Sequence, residues 1–165
     1  MAIRMTEEQF EYKYKLYSQD LFNVAYGYTR NIQDAEDIVQ NVFIKLLQYE
    51  KEFNTLNDEK YWLIRVTINE SINFVKSAYK KKVFFDEETV NKSPSITNES
   101  NELEILKYYV DTLPDKYKEV IILYYFENLK TQEISIILKI KEDAVRKRLE
   151  RAREILKKKM EANNG

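Results

Sequence analysis

Glycine and proline are nearly missing from this chain. Its 165 residues contain two of each: Gly27 and Gly165, Pro94 and Pro114. A β-rich domain of that size reverses direction many times through tight turns, and those turns draw on Gly, Pro and Asn-Gly pairs. With so few breakers the chain is predicted to be all-α. Hydrophobic residues make up 44% and charged ones 33%, which suits helices with a buried face and a solvated one. The length fits one large domain or two small ones.

The chain has neither cysteine nor histidine. Disulfides, thiolate chemistry, imidazole acid–base catalysis and nearly all zinc sites are thereby excluded. No Gly-rich phosphate loop occurs, so nucleotide enzymes are disfavoured, and the chain is expected not to be an enzyme and to carry no cofactor or metal. No stretch has the apolar length of a membrane span, and the start, "MAIRMTEEQFEYK", lacks the apolar core of a signal peptide. The expectation is a cytoplasmic protein with no direct membrane insertion.

Along the chain, Phe10, Tyr14, Tyr17, Leu21, Val24, Ala25 and Tyr28 recur at helical spacing and predict two helices, 6–17 and 18–30. Asn31 is a cap for the next helix, whose first turns carry Asp34, Glu36 and Asp37. Ala35, Val39, Val42, Phe43 and Leu46 form its buried stripe, leaving Asp37, Gln40, Asn41 and Lys45 exposed. "YEKEFNTLNDEK" reads as a loop with Asp58 as the next cap. "YWLIRVTINESINFVKSAYKKK" then resumes as a long helix with a stripe of Trp62, Val66, Ile68 or Asn69, Ile72, Val75 and Tyr79. It ends in Lys76, Lys80, Lys81 and Lys82, where the helix dipole favours cations. Trp62, on the apolar stripe, is read as core.

"FFDEETVNKSPSITNES" is acidic, then rich in Ser, Thr and Asn, and cannot bury enough surface to fold by itself. The expected organisation is therefore two small helical domains, 1–83 and 101–165, joined by a flexible acidic linker over 84–100. In the second domain, Leu103, Leu106, Tyr109 and Val110 form a stripe that stops before Pro114, placed in the first turn of the next helix. Tyr117, Val120, Ile121 and Tyr124 face inward there. "ENLK" is a short connection, and Thr131 caps "QEISIILK" with Glu133 in its first turn.

A tight turn at Lys139-Ile140-Lys141 leads into "EDAVRKRLERAREILKKK", eight basic and four acidic side chains in a protein of net charge −1. Two short helices, a tight turn and a basic second helix describe a helix-turn-helix. On a helical wheel Val145, Leu149, Ala152 and Leu156 face the core. Lys147, Glu150, Arg151, Glu154 and Lys158 lie opposite, flanked by Arg146, Arg148 and Arg153. Ser135, small, sits where the two helices cross. Arg146, Lys147, Glu150 and Arg151 project from the early turns, the part of such a helix that meets base edges in a major groove. Lys157, Lys158 and Lys159 suit phosphate or solvent. A solvated basic helix laced by i,i+4 pairs is the other reading of the stretch taken alone.

"LPDKYKEVIILYYFENLKTQEISIILKIKEDAVRKRLERAREIL" resembles region 4 of bacterial sigma factors of the extracytoplasmic-function class. "YTRNIQDAEDIVQNVFIKLL" with "YWLIRVTINESINFVK" resembles region 2 of the same family. The resemblance implies a dissociable initiation subunit of RNA polymerase. Region 2 would hold the clamp helices of the largest core subunit and open the −10 element, and region 4 would read the −35 element of promoter DNA. Carried over by position, Asp37, Gln40 and Asn41 match the polymerase-facing surface. Phe53, Asn54 and Asn69 match the part that captures an extruded base. Arg65 and Asn73 lie on the same helix, and Lys76 with Lys80–Lys82 are candidates for duplex phosphates. Asn41 stands where the family usually has an acid, Asn73 where aspartate is commoner, Lys139 where glycine is frequent and Lys141 where serine caps. Each of the last two departures costs on the order of 1 kcal/mol.

Residues 1–60 hold seven basic and eleven acidic side chains, so cations concentrate at the ends of the two candidate DNA helices. A surface otherwise repelling phosphate implies weak DNA binding alone and delivery by a large partner. Many members of the family it resembles are held by an anti-sigma factor, which makes one a candidate partner, and a monomer is expected for the free chain. The competing reading is a free-standing helix-turn-helix regulator whose N-terminal domain senses or dimerises. A third makes the N-terminal domain a protein-interaction scaffold.

Overall fold

The structure, a computed structural model, describes residues 5–85 and 100–164. Among them it is all helical: α1 (Glu7–Thr29), α2 (Ile32–Gln48), α3 (Leu56–Phe85), α4 (Ser100–Thr112), α5 (Asp115–Ile121) running into a π-type turn (Ile122–Phe126), α6 (Thr131–Leu138) and α7 (Glu142–Asn164). Cα packing divides the chain into two compact units, the main cut falling after Lys76 inside α3. Most of the expected linker, 86–99, lies outside the described residues, and residues 84, 85 and 100 at its edges are helical.

In the N-terminal unit the two helices predicted over 6–30 are one. Thr6 and Gln9 form a reciprocal capping box at its start, and nothing between them and Arg30 withdraws a backbone donor or demands a turn. The helix stops at Arg30, a left-handed residue (φ 48°) whose N–H bonds the Tyr26 carbonyl at 2.7 Å. Asn31 then caps α2 by accepting from the Asp34 N–H at 2.9 Å. Ala35, Val39, Val42, Phe43 and Leu46 are buried, together with Ile38. α1 answers with Tyr17, Leu21, Val24, Ala25 and Tyr28, while Phe10 and Tyr14 pack their rings on Phe43 at 5.8 and 4.9 Å.

α3 begins at Leu56, inside the expected loop, and its cap is Thr55, not Asp58: the Thr55 hydroxyl oxygen accepts from the Asp58 N–H at 3.1 Å. Its buried stripe is also in another phase. Leu63, Ile64, Thr67, Ile68 and Ser71 are buried, whereas Trp62, Val66, Ile72 and Val75 are partly exposed, and Asn69 and Tyr79 are exposed. Apolar residues occur on every side of this helix, so period alone leaves the phase open. Thr67 tolerates burial because its hydroxyl donates to the Leu63 carbonyl at 2.7 Å.

The C-terminal unit is held by α5 and α7, with α4 laid against α7. Its buried residues include Ile105, Val110, Leu113, Val120, Ile121, Ile122, Leu123, Leu129 and Ile134, with Val145, Leu149, Ala152 and Leu156 on α7 as the wheel predicts. The α4 stripe is shifted from expectation: Ile105 is buried and Leu103 exposed. Tyr117 and Tyr124 are only half-buried. Pro114 takes the cap position, one residue before the first turn. Thr131 is the first residue of α6 rather than its cap. Glu133 reaches back to the Lys130 N–H at 3.1 Å, half of a capping box. Ser135 is half-buried and its hydroxyl donates to the Gln132 carbonyl at 2.6 Å.

Candidate nucleic-acid interface

Five of the predicted DNA residues lie on one line along α3. Arg65, Asn69, Asn73, Lys76 and Lys80 are all exposed, and at 100° per residue they fall within about 80° of the helix circumference over about 22 Å of its length. Cations and amides share it. An amide side chain both donates and accepts, so it can address the edge of an unpaired base, while a cation can pair with phosphate. Lys81 is exposed beside them; the side chain of Lys82 lies outside the described ones. Glu70 is the one acid between residues 61 and 85, and it is tied to Lys45 of α2.

At the start of that line sits an aromatic trio. Trp62 is half-buried, not core, with its ring centroid 4.5 Å from Tyr49 and 5.6 Å from Phe53, and Phe53 stacks on Tyr49 at 5.1 Å. Exposed Asn54 follows in the loop and lines, with Gln9, Lys13, Leu46 and Glu59, an open cavity of about 450 Å³. Its floor is braced by Glu59, only 3% exposed, which accepts from Lys13 Nζ at 2.6 Å and from the Tyr17 hydroxyl at 3.1 Å. Burial, reinforced by the Glu59 carboxylate, pushes the Tyr17 phenol far above its ordinary range, so it stays a donor. Sequence reasoning missed the trio and the brace. A Trp beside two aromatics in a loop is a usable signal for the first; no local pattern announces the second.

Asp37, Gln40 and Asn41 are exposed on α2, as predicted, and Asp37 Oδ1 accepts from Gln33 Nε2 at 3.0 Å. Ile44 and Leu47, about half exposed, continue the same side and were missed by sequence reasoning. Their signal is two large apolar residues off a stripe that is already full. A polar rim beside exposed apolar side chains is the make-up of a protein-binding surface.

On α7 the four predicted readers, Arg146, Lys147, Glu150 and Arg151, are all exposed. The turn before them is tight because Lys139 is left-handed (φ 57°) and the Ile140 N–H closes onto the Ser135 carbonyl at 3.1 Å. Two of the readers are held by acids of the same helix. Arg146 pairs with Glu142 at 2.7 Å and Asp143 at 3.3 Å, and Arg151 with Glu154 at 3.1 Å. Behind them Arg148 approaches Glu119 at 3.5 Å, and Arg153 donates to the Tyr125 hydroxyl at 2.8 Å while lying over both Tyr124 and Tyr125. Arg148 and Arg153 thus bind α7 to its own unit.

Two family models match the chain in order: sigma-70 region 2 over residues 14–81 and sigma-70 region 4 over residues 103–156. The RNA polymerase sigma factor SigV of Bacillus subtilis (strain 168) is 30% identical over 86% of this chain and 84% of its own length. The extracytoplasmic-function RNA polymerase sigma factor SigM of the same organism is 30% identical over 87% and 90%. This chain belongs to the extracytoplasmic-function sigma factors of the sigma-70 family. Among solved structures, the sigma factor RpoE of Bartonella quintana, in complex with the anti-sigma factor NepR, shares the fold with a TM-score of 0.65 at 20% identity over 92% of this chain and 96% of its own. CnrH, in complex with the cytosolic domain of CnrY, gives 0.69 at 19% over 96% and 91%. Sigma factors as a family are non-catalytic initiation factors. Among the described residues no helix is long and apolar enough to cross a membrane.

Proposed function

We propose that this sigma factor works as two domains, 1–83 and 101–165, joined through 84–100 and docked on core RNA polymerase at one promoter. The observation that carries the proposal is the pair of family matches, region 2 then region 4, within one short chain. In the first domain the exposed surface of α2 at Asp37, Gln40 and Asn41, extended by Ile44 and Leu47, takes the clamp helices of the largest core subunit. Along the exposed line of α3, Arg65, Asn69 and Asn73 follow the opened −10 strand, and Lys76 and Lys80 meet duplex phosphates upstream of it. An extruded base is held by Asn54 and Asn69 against Phe53, since an unstacked base needs an aromatic platform and polar contacts to its edge. In the second domain Arg146, Lys147, Glu150 and Arg151 read the −35 element in the major groove.

The geometry supports a division of labour on α3, cations for phosphate and amides for bases. The acidic surface outside these helices supports weak DNA binding by the free monomer, so that core polymerase, present in the cytoplasm, supplies most of the affinity. An anti-sigma factor belongs to the same proposal, given the family and the RpoE complex of the same fold. Run-off transcription with core polymerase on genomic fragments tests it. Promoter-selective transcripts that require this chain are the expected result. A chain that fails to join core polymerase, or that dimerises and binds an operator tightly by itself, refutes it in favour of a free-standing regulator.

A further inference from the structure

Glu142 opens α7 and makes two bonds through one oxygen. Its Oε1 accepts from the Thr131 hydroxyl at 2.9 Å and from Arg146 Nη2 at 2.7 Å, while Arg146 Nη1 donates to Asp143 Oδ1 at 3.3 Å. Thr131 is the first residue of α6, so a short polar chain runs from the start of one helix to a guanidinium one turn into the next. The arrangement is too exposed to matter much for stability. The Arg146 side chain is 58% exposed, and solvated pairs of this spacing contribute little.

What the chain does control is direction. An arginine side chain is long and loses much freedom when it is fixed on a ligand, so fixing it beforehand lowers the cost of binding. Its guanidinium has five N–H donors in a flat fork. The two acids take one N–H from each terminal nitrogen. One N–H on each terminal nitrogen and the Nε–H remain, enough for a two-pronged grip on paired acceptors such as guanine O6 and N7. Both carboxylates also repel phosphate, so a guanidinium held beside them is steered away from backbone contacts that carry no sequence information.

We propose that Glu142 is a positioning residue for promoter readout: anchored by Thr131, it orients Arg146 for base edges and thereby sets discrimination at the base pairs Arg146 meets. The inference rests on the proposed role of α7 as the −35 reader. Its test is run-off transcription by core polymerase with the full chain, on a recovered promoter and on derivatives with each −35 base pair changed singly. Arg146→Ala marks the base pairs that Arg146 discriminates. Glu142→Ala is expected to lose about 5–10-fold discrimination at those same base pairs and none elsewhere. Glu142→Gln keeps an acceptor oxygen and restores most of it; Thr131→Val produces a smaller loss at the same positions. Thermal unfolding of each variant separates a folding defect from a readout defect, and the Gln and Val variants carry the test if the Ala variant does not fold. An even loss over all derivatives, or intact discrimination in Glu142→Ala at base pairs where Arg146→Ala has lost it, overturns the inference. If Arg146→Ala alters discrimination at no −35 base pair, the role assigned to α7 fails and takes the inference with it.

Discussion

The exposed line of α3 and the exposed face of α7 both carry cations, yet they are built differently. On α3, Arg65, Lys76 and Lys80 share the line with uncharged Asn69 and Asn73, and the one acid in the sequence between residues 61 and 85, Glu70, is tied to Lys45. On α7 the arginines stand among acids of their own helix, Glu142, Asp143 and Glu154, and two of them are already paired. A line of cations interleaved with amides presents charge and base-edge hydrogen-bonding groups in turn. A cation held by a carboxylate of its own helix releases less energy on meeting a phosphate and keeps its direction. The first arrangement suits a strand followed by its backbone; the second suits a groove in which wrong contacts must be discouraged.

The largest effect expected from this contrast is on α7. Arg146→Ala with Arg151→Ala removes the two proposed base-edge grips, worth about 1–3 kcal/mol each, so promoter-selective run-off transcription is expected to fall by on the order of a hundredfold. Core-polymerase binding, measured separately, stays intact. If transcription survives with selectivity unchanged, α7 is merely a solvated basic helix and the contrast is broken.

A comparable loss is expected from the brace beneath the loop cavity, by another route. Glu59 is buried against Lys13 and Tyr17, and removing its carboxylate takes that acceptor from a cation and leaves the phenol the Leu56 carbonyl at 3.3 Å. Glu59→Ala should destabilise the protein by about 3 kcal/mol in denaturant unfolding, the lower end for a buried pair because Lys13 is partly solvated. The pH dependence has a definite sign. The folded-state pKa of Tyr17 lies above its ordinary 10.0 because burial and the Glu59 carboxylate disfavour the phenolate. The stability tied to the neutral phenol is therefore complete below pH 10 and is lost as pH rises toward the folded value. Tyr17→Phe should remove that alkaline component from the unfolding profile.

How much of this is legible in the sequence differs helix by helix. α2 and α7 each have one apolar stripe dense enough to set the buried phase, although α2 also carries Ile44 and Leu47 outside it, and the four proposed readers of α7 and the three polar residues of α2 are exposed where the wheel puts them. α3 does not work that way. "YWLIRVTINESINFV" is apolar on most sides, and its buried phase passes through Thr67 and Ser71, residues that a hydrophobic count discards. The same ambiguity separates Trp62 as expected core from Trp62 as a member of the aromatic trio. In α1 the difficulty is the reverse: the reading of two helices needs a break at Tyr17-Ser18, where no residue demands one. The Glu59 and Glu142 contacts join residues on different helices, and only the fold brings them together.

A smaller effect sharpens the α3 side of the contrast. Lys76→Ala with Lys80→Ala should weaken promoter complexes to the same degree on every promoter and reduce the steepness of the salt dependence by about 1.8, near 0.9 for each phosphate that is no longer neutralised. Unchanged salt steepness means these lysines are only a solvated helix end. A change that depends on −10 sequence means that they read bases, and the division between cations and amides along α3 is wrong.

The smallest expected effect concerns how α7 is aimed. Lys139 is held at φ 57°, a conformation that strains a residue with a Cβ and costs glycine nothing, and the Ile140 N–H to Ser135 carbonyl bond locks the turn in that state. Lys139→Gly should therefore stabilise the C-terminal unit by about 1 kcal/mol, less the extra freedom that glycine gives the unfolded chain. The rise in Tm is a few degrees, readable by calorimetry, with −35 selectivity unchanged because the turn keeps its shape. If stability falls instead, the lysine stem contributes packing that outweighs its backbone strain. If selectivity changes while stability does not, the turn sets the direction of the arginines together with their acidic partners, and the ordering of α7 begins in the turn, ahead of Glu142.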